Sequence, residues 1–320
     1  MNTKIRIIHW LLLLWLSLLV FQYDVLLQYL ALWFSYTKLI FTDFSGALDV
    51  LNLRLADVML AVKLFVVLPV LYFLFRKKWK FLQNKLIFSY ALLSLLIWIL
   101  IFAPIITNEN PEFSKNLSVT KLLPPFSNLK VLKLVEETDN SITEKEQFIH
   151  QVNKAIKQPF NEQIIFTDSI LVSESVIYYQ KSQRTQLQKG KLLLKDGEPV
   201  IDSKYFLLGT DEYGRDNFAR LIYGTRISLF VGFGAVIVSF FIGIILGFIA
   251  GYRGGIFDTV LNRFTELFLS FPVIYLIVLI LALFGSSLFS VIIVLGISGW
   301  MTLFKIVRGE VVSLKQKDFF

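Results

Sequence analysis

The sequence predicts an all-α polytopic membrane protein of about six transmembrane helices with an extracytoplasmic α+β insert. Three observations predict it. Hydrophobic residues make up 55% of the 320 residues, and mean hydropathy is +0.64, above the ~45–50% apolar content usual for soluble domains. The apolar residues are concentrated in long, charge-poor runs, whereas a β-barrel would alternate over short segments. Basic clusters fall at alternate ends of those runs, as the positive-inside rule requires.

The first run covers 8–34, with Asp24 as its formal charge. It follows Lys4 and Arg6 as a signal peptide would, but it is too long for one and no small-residue cleavage site follows. It is expected to be a first span. The second run, 58–75, contains Lys63 and Pro69 and stops at Arg76-Lys77-Lys78-Trp79-Lys80, which marks its end as cytoplasmic. The third, 86–106, leaves from the same cluster and crosses outward. Asp24 and Lys63 lie in antiparallel spans; they either meet or, the simpler reading, snorkel separately.

Residues 107–205 are rich in charges and amides and form the extracytoplasmic insert. Ser141-Ile142-Thr143-Glu144 fits a capping box, followed by Phe148, Ile149, Val152 and Ile156 at helical spacing. Lys191–Lys195 and Pro199–Asp202 flank Asp196-Gly197, a hairpin signal, and Gln163–Leu171 and Ser175–Gln180 read as short strands.

The remaining runs are 227–252, 264–284 with Pro272 inside, and 288–304, followed by Lys305, Arg308, Lys315 and Lys317. In the fourth, Gly243, Gly247 and Gly251 recur every four residues, a spacing that serves close helix packing or, less simply, lines a pore. Asp258 and Glu266 flank Arg263 as interfacial anchors, not substrate ligands; Arg263 and Glu266 are spaced for an i,i+3 pair, and Asp258 is not at i,i+4 spacing from Arg263. Cysteine is absent, and His9 and His150 are the two histidines, so thiolate chemistry is excluded and a histidine metal site is not expected. The net charge of +8 suits loops at an anionic membrane face, and no nucleic-acid partner is inferred. Gly190-Lys191 lacks the upstream glycine of a phosphate-binding loop. No catalytic residues, cofactor site or metal site are assigned, and the chain is not expected to be an enzyme.

The most specific stretch is Gly209-Thr210-Asp211-Glu212-Tyr213-Gly214-Arg215-Asp216. It reads as a turn feeding a helix, with Thr210 and Asp211 as N-cap candidates. Phe218, Leu221 and Ile222 form the apolar stripe of an interfacial helix over 206–226.

With Arg220-Leu221-Ile222-Tyr223-Gly224-x-Arg226, Gly247-x-x-Ala250-Gly251-Tyr252-x-Gly254-Gly255, Phe271-Pro272 and Val307-Arg308-Gly309-Glu310-Val311, this stretch resembles the C-type permease subunits of dipeptide and oligopeptide ABC importers. The resemblance covers about 207–320 and extends weakly to 86–111. It marks Gly209, Thr210, Asp211, Gly214, Arg215 and Asp216 as the family motif. It implies a type I importer transmembrane domain in the inner membrane, N-terminus cytoplasmic. It also implies a B-type permease partner, two cytoplasmic ATPases that bind ATP, and an extracytoplasmic substrate-binding protein. Segments before Lys77 and the insert are additions to the family pattern, and the family's coupling helix and two further spans would follow Phe320, so a fragment or truncated frame is expected. Two other readings stay open: a membrane-anchored sensor or scaffold using 107–205, or a non-functional permease fragment. The organisation read is 1–106 (helices), 107–205 (insert), 206–226 (motif and interfacial helix) and 227–320 (importer domain).

Overall fold

The first apolar run folds as two helices, not one. In the computed structural model, which describes residues 7–75, 87–135, 143–157, 163–172, 176–181, 183–270, 272–285 and 287–316, α1 (Ile7–Phe21) and α2 (Tyr23–Thr42) are separated at Gln22. The Gln22 backbone leaves helical geometry at φ −121, ψ 28, and its side-chain amide donates to the Ile106 carbonyl at 2.9 Å. The polar side chain thus finds its partner on another helix. A short helix α3 (Phe44–Val50) follows, with Asp43 accepting from Gly46 N at 2.9 Å. Asn52 caps α4 (Leu53–Phe75) in the same way, through Leu55 N at 2.8 Å. Pro69 lies inside α4 and Pro104 inside α5 (Ile87–Ile106). The basic cluster Arg76–Lys80 and Lys85 lie outside the described residues.

These helices share one core. Trp15 stacks on Phe65 with centroids 5.0 Å apart and donates its indole N–H to the Phe65 carbonyl at 2.9 Å. Phe65 meets Phe102 edge-on at 6.1 Å. Such pairs add specific geometry to the area that they bury. Asp24 and Lys63 are both exposed, and among the described residues neither makes an ion pair.

The insert contributes α6 (Leu117–Thr120), strand β1 (Ser127–Lys133) and α7 (Glu144–Ala155). The capping box sits two residues later than expected: Thr143, not Ser141, caps α7, with Glu146 returning the bond. Thr143 has the extended backbone that an N-cap requires, and an acidic residue at the third helical position completes the reciprocal pair; Ser141 and Ile142 lie outside the described residues. Phe148 and Val152 of α7 join the core that includes Tyr29, Leu32 and Leu39 of α2.

The expected strand Gln163–Leu171 is two strands, β2 (Ile164–Thr167) and β3 (Ser169–Val172), in different sheets. Asp168 turns the chain there, its carboxylate accepting from Lys181 N at 2.6 Å. β4 (Val176–Gln180) and β5 (Gln183–Leu187) pair with β3 in the order β3-β4-β5. The Asp196-Gly197 hairpin forms between β6 (Leu194–Lys195) and β7 (Glu198–Pro199), both turn residues having positive φ, 54 and 81. β8 (Ile201–Phe206) instead joins β1, giving the sheet β2-β1-β8, antiparallel throughout, with Ser127 opposite Phe206 and Lys133 opposite Ile164.

The chain divides into units 1–226 and 227–320. Helix α8 (Asn217–Arg253) begins in the first and continues through the second for 37 residues in all, so the interfacial turns and the fourth span are one helix. The second unit adds α9 (Gly255–Ser270), α10 (Val273–Phe284) and α11 (Leu288–Lys315). The expected span 264–284 is therefore interrupted: proline lacks an N–H and disfavours helical backbone before it, and α10 starts just after Pro272. Phe271 lies outside the described residues, as does Lys317. Lys305, Arg308 and Lys315 extend α11 beyond the expected span, because no breaker interrupts it. The chain is a polytopic, largely helical membrane protein. Among the described residues α2, α8 and α11 are long and apolar enough to cross a membrane by length and composition, and shorter apolar segments lie in α1 and α5.

Candidate functional site

The stretch Gly209–Asp216 is a knot that ties the start of α8 to the segment after α5. Gly209 and Gly214 have φ +66 and +69. A Cβ on Gly209 would collide with the Leu123 carbonyl oxygen, and one on Gly214 with Thr120 Oγ1. Both positions thus need glycine twice over, for backbone conformation and for space. Thr210 is buried; its hydroxyl donates to the Thr120 carbonyl and accepts from Leu123 N, the latter at 2.9 Å.

Asp211 is the hub. Oδ1 accepts from Tyr213 N and Arg215 N, each at 2.9 Å, while Oδ2 accepts from Arg215 Nε at 2.8 Å and Arg220 Nη1 at 2.6 Å. Burial alone would raise this carboxyl, but the bonds from Arg215 and Tyr213 outweigh it and hold it below the usual range. Arg215 reaches onward to Glu112 at 2.8 Å and lies over the Tyr213 ring at 4.7 Å. The helix cap is Asp216, which accepts from Phe218 N at 2.9 Å and Ala219 N at 3.4 Å. Neither Thr210 nor Asp211 fills that role: they are consumed inside the turn, and α8 starts only at Asn217. Burial raises the Asp216 carboxyl, partly offset by Lys204 and the capped amides.

Under the knot lies a cluster that the sequence reading did not anticipate. Lys204 Nζ is 2.8 Å from Glu109 and lies over Phe206, Phe113 and Phe166 at 5.0, 5.6 and 6.0 Å. Lys157 also pairs with Glu109. Burial alone would raise Glu109, yet Lys204 and then Lys157 bring it down to about 2. The only sequence signal for this cluster is one lysine among the aromatic and polar residues of β8. Asp57 was also missed: it accepts two bonds from Arg226, joining α4 to α8.

The second unit holds the glycine ladder. Gly243, Gly247 and Gly251 lie on α8 against α11. An added Cβ would come within 2.9 Å of Leu303 Cβ, 2.9 Å of the Phe304 carbonyl and 2.8 Å of Val311 Cβ respectively. From the other side, Gly296 of α11 sits where a Cβ would meet Val238 at 2.5 Å, and Ser239 Oγ donates to the Gly296 carbonyl at 2.7 Å. Small residues let the two backbones approach, and dispersion contacts then accumulate along the seam. Asp258 pairs with Arg308, with Nη2 at 2.6 Å, and accepts from Asn262 at 2.7 Å; it links α9 to α11 and is more than a surface anchor. Arg263 and Glu266 pair at 2.8 Å. Among the described residues no cluster of three or more His, Asp or Glu has the grouping to hold a metal ion.

Residues 243–320, which hold the glycine ladder and α11, match the family described as binding-protein-dependent transport system inner membrane component. The dipeptide transport system permease protein DppC of Bacillus subtilis (strain 168) is 42% identical over 111 residues, 35% of this chain and 35% of that protein. The oligopeptide transport system permease protein OppC of Haemophilus influenzae is 44% identical over 121 residues, 38% of this chain and 39% of that protein. OppC of Bacillus subtilis (strain 168) is 34% identical over 150 residues, 47% and 48% of the two chains. The chain thus spans between about a third and a half of the length of the curated relatives it matches. The importer family expected from the motifs is the one found. The matched inner membrane component contains the whole Gly243–Gly251 ladder, whereas the knot at Gly209–Asp216 precedes residue 243.

Proposed function

We propose that the chain acts as the C-type permease subunit of an ABC importer, forming part of the pathway for peptides or similar small solutes. The observation that carries this reading is the 42–44% identity to dipeptide and oligopeptide permease proteins. The permease does no chemistry in this reading. An extracytoplasmic binding protein delivers substrate, a B-type permease supplies the other half of the pathway, and two cytoplasmic ATPases bind and hydrolyse ATP. The N-terminus is cytoplasmic, in the inner membrane, and the insert faces outward.

Alternating access requires two packings of comparable energy. The α8–α11 seam suits such a device, because small residues meet the opposing helix with few side chains to disengage. The test is co-expression with the B-type permease and ATPases, followed by pull-down. Co-purification with the B-type permease is expected. A chain that binds neither permease nor ATPase would favour a membrane-anchored scaffold or a non-functional fragment.

A further inference from the structure

We propose that α2 and α3 do not cross the membrane but form an interfacial shelf on the insert's face, with one stripe of α2 seated in lipid. By length and hydropathy α2 qualifies as a span. Its neighbours contradict that. At its start, Gln22 donates to the Ile106 carbonyl at 2.9 Å, and Tyr29 OH donates to Pro104 at 3.1 Å. These carbonyls belong to the end of α5, where the apolar run gives way to the insert. At the far end, Lys38 pairs with Glu144 of α7 at 2.8 Å, and Asp49 of α3 pairs with Lys145 at 2.9 Å. The chain then enters α4, where Arg54 donates to the Lys157 carbonyl at 3.3 Å; Asn110 donates to the same carbonyl, also at 3.3 Å. Both ends of the Gln22–Arg54 excursion are therefore bonded to the segment that leaves α5 or to the insert. A spanning α2 would carry one end some 30 Å away, to the opposite face.

The side chains of α2 sort into three sectors. Val25, Leu32 and Leu39 face the core. Tyr23, Leu27, Phe34 and Phe41 are exposed, Phe34 at 65% and Phe41 at 91%. Their spacing of four, seven and seven residues aligns them on one face. One residue further on, the same spacing gives Asp24, Gln28, Ser35 and Thr42, a polar stripe. A helix with a core face, an apolar exposed stripe and a polar stripe beside it fits the headgroup–acyl boundary. The occupant of the apolar stripe is the lipid of the same membrane, because the stripe continues from Val20 and Phe21, the exposed end of apolar α1. Phe44 and Leu53 prolong the exposed apolar rim through α3 to the start of α4.

The wild-type chain has no cysteine, so single-cysteine labelling needs no altered background. S45C, in α3 just beyond the far end of α2, and D196C, in the insert, are treated with a membrane-impermeant maleimide in sealed vesicles of known orientation. Both are expected to react from the same side. S45C reacting only from the opposite side, or from neither, overturns the shelf. Bimane on F34C is expected to lose emission to bromolipid while bimane on Q28C does not. Equal behaviour at the two positions overturns the lipid seat. Neither readout depends on transport, so failure here is separate from failure of the importer reading.

Discussion

Asp57 of α4 and Arg226 of α8 form a two-pronged ion pair between residues 169 positions apart in sequence. Each side chain is about a fifth exposed. Removing one partner leaves the other charge partly desolvated, which costs more than the pair contributes. Asp57→Asn is expected to destabilise the protein by about 2–4 kcal/mol. The double variant Asp57→Asn/Arg226→Gln should recover part of that loss. Thermal unfolding in detergent checks the cycle; purely additive losses would show that the pair is not coupled.

Gly209→Ala places a methyl group into the Leu123 carbonyl at a backbone angle of +66. Neither strain relaxes without moving the knot, so a loss of at least about 2 kcal/mol is expected. Gly254→Ala, also at positive φ but with no atom within 4 Å, should lose less, about 1 kcal/mol. Comparing the two by folded yield and melting temperature separates conformational strain from collision.

Gly247→Leu drives a side chain into the Phe304 carbonyl and Val307 on α11. Overpacking should cost about 1–3 kcal/mol, and α8 and α11 should separate. Thermal unfolding in detergent, compared with wild type and with the milder Gly247→Ala, checks the loss.

The Glu109 carboxyl is depressed from 4.5 to about 2. A depressed carboxyl contributes stability that is fully present above its unfolded value and is lost as pH falls through the folded one. The stability gap between wild type and Glu109→Gln should be flat above about pH 5 and shrink steadily between pH 4.5 and 2. Asp216, raised by burial, acts in the opposite sense on acidification, so the comparison must be made against Glu109→Gln at each pH. Urea unfolding of detergent-solubilised protein across this range checks the trend.

Much of the fold is legible in local patterns because those patterns have local causes. The Asp196-Gly197 hairpin follows from two residues that tolerate positive φ. The glycine ladder follows from a four-residue repeat, since one helix alone fixes which residues share a face. Caps were harder to read. Thr143 and Asp216 replace the expected Ser141, Thr210 and Asp211, because a cap depends on where the helix starts, and several polar residues in a row compete for the position.

What the sequence by itself determined is the membrane character, the polar insert and the motifs shared with permease proteins, all of which rest on composition and short-range spacing. Only the tertiary structure decided that the first apolar run breaks at Gln22, that Asp57 finds Arg226, and that Lys204 lies among three phenylalanines beside Glu109. Those are long-range pairings. Hydropathy reports how much a segment prefers to leave water, but which polar atom meets which is set by packing between elements distant in sequence. The motif with which Gly209–Asp216 announces itself is thus readable letter by letter, while its physical role, clamping residues 117–126 to the start of α8, exists only once both segments are folded together.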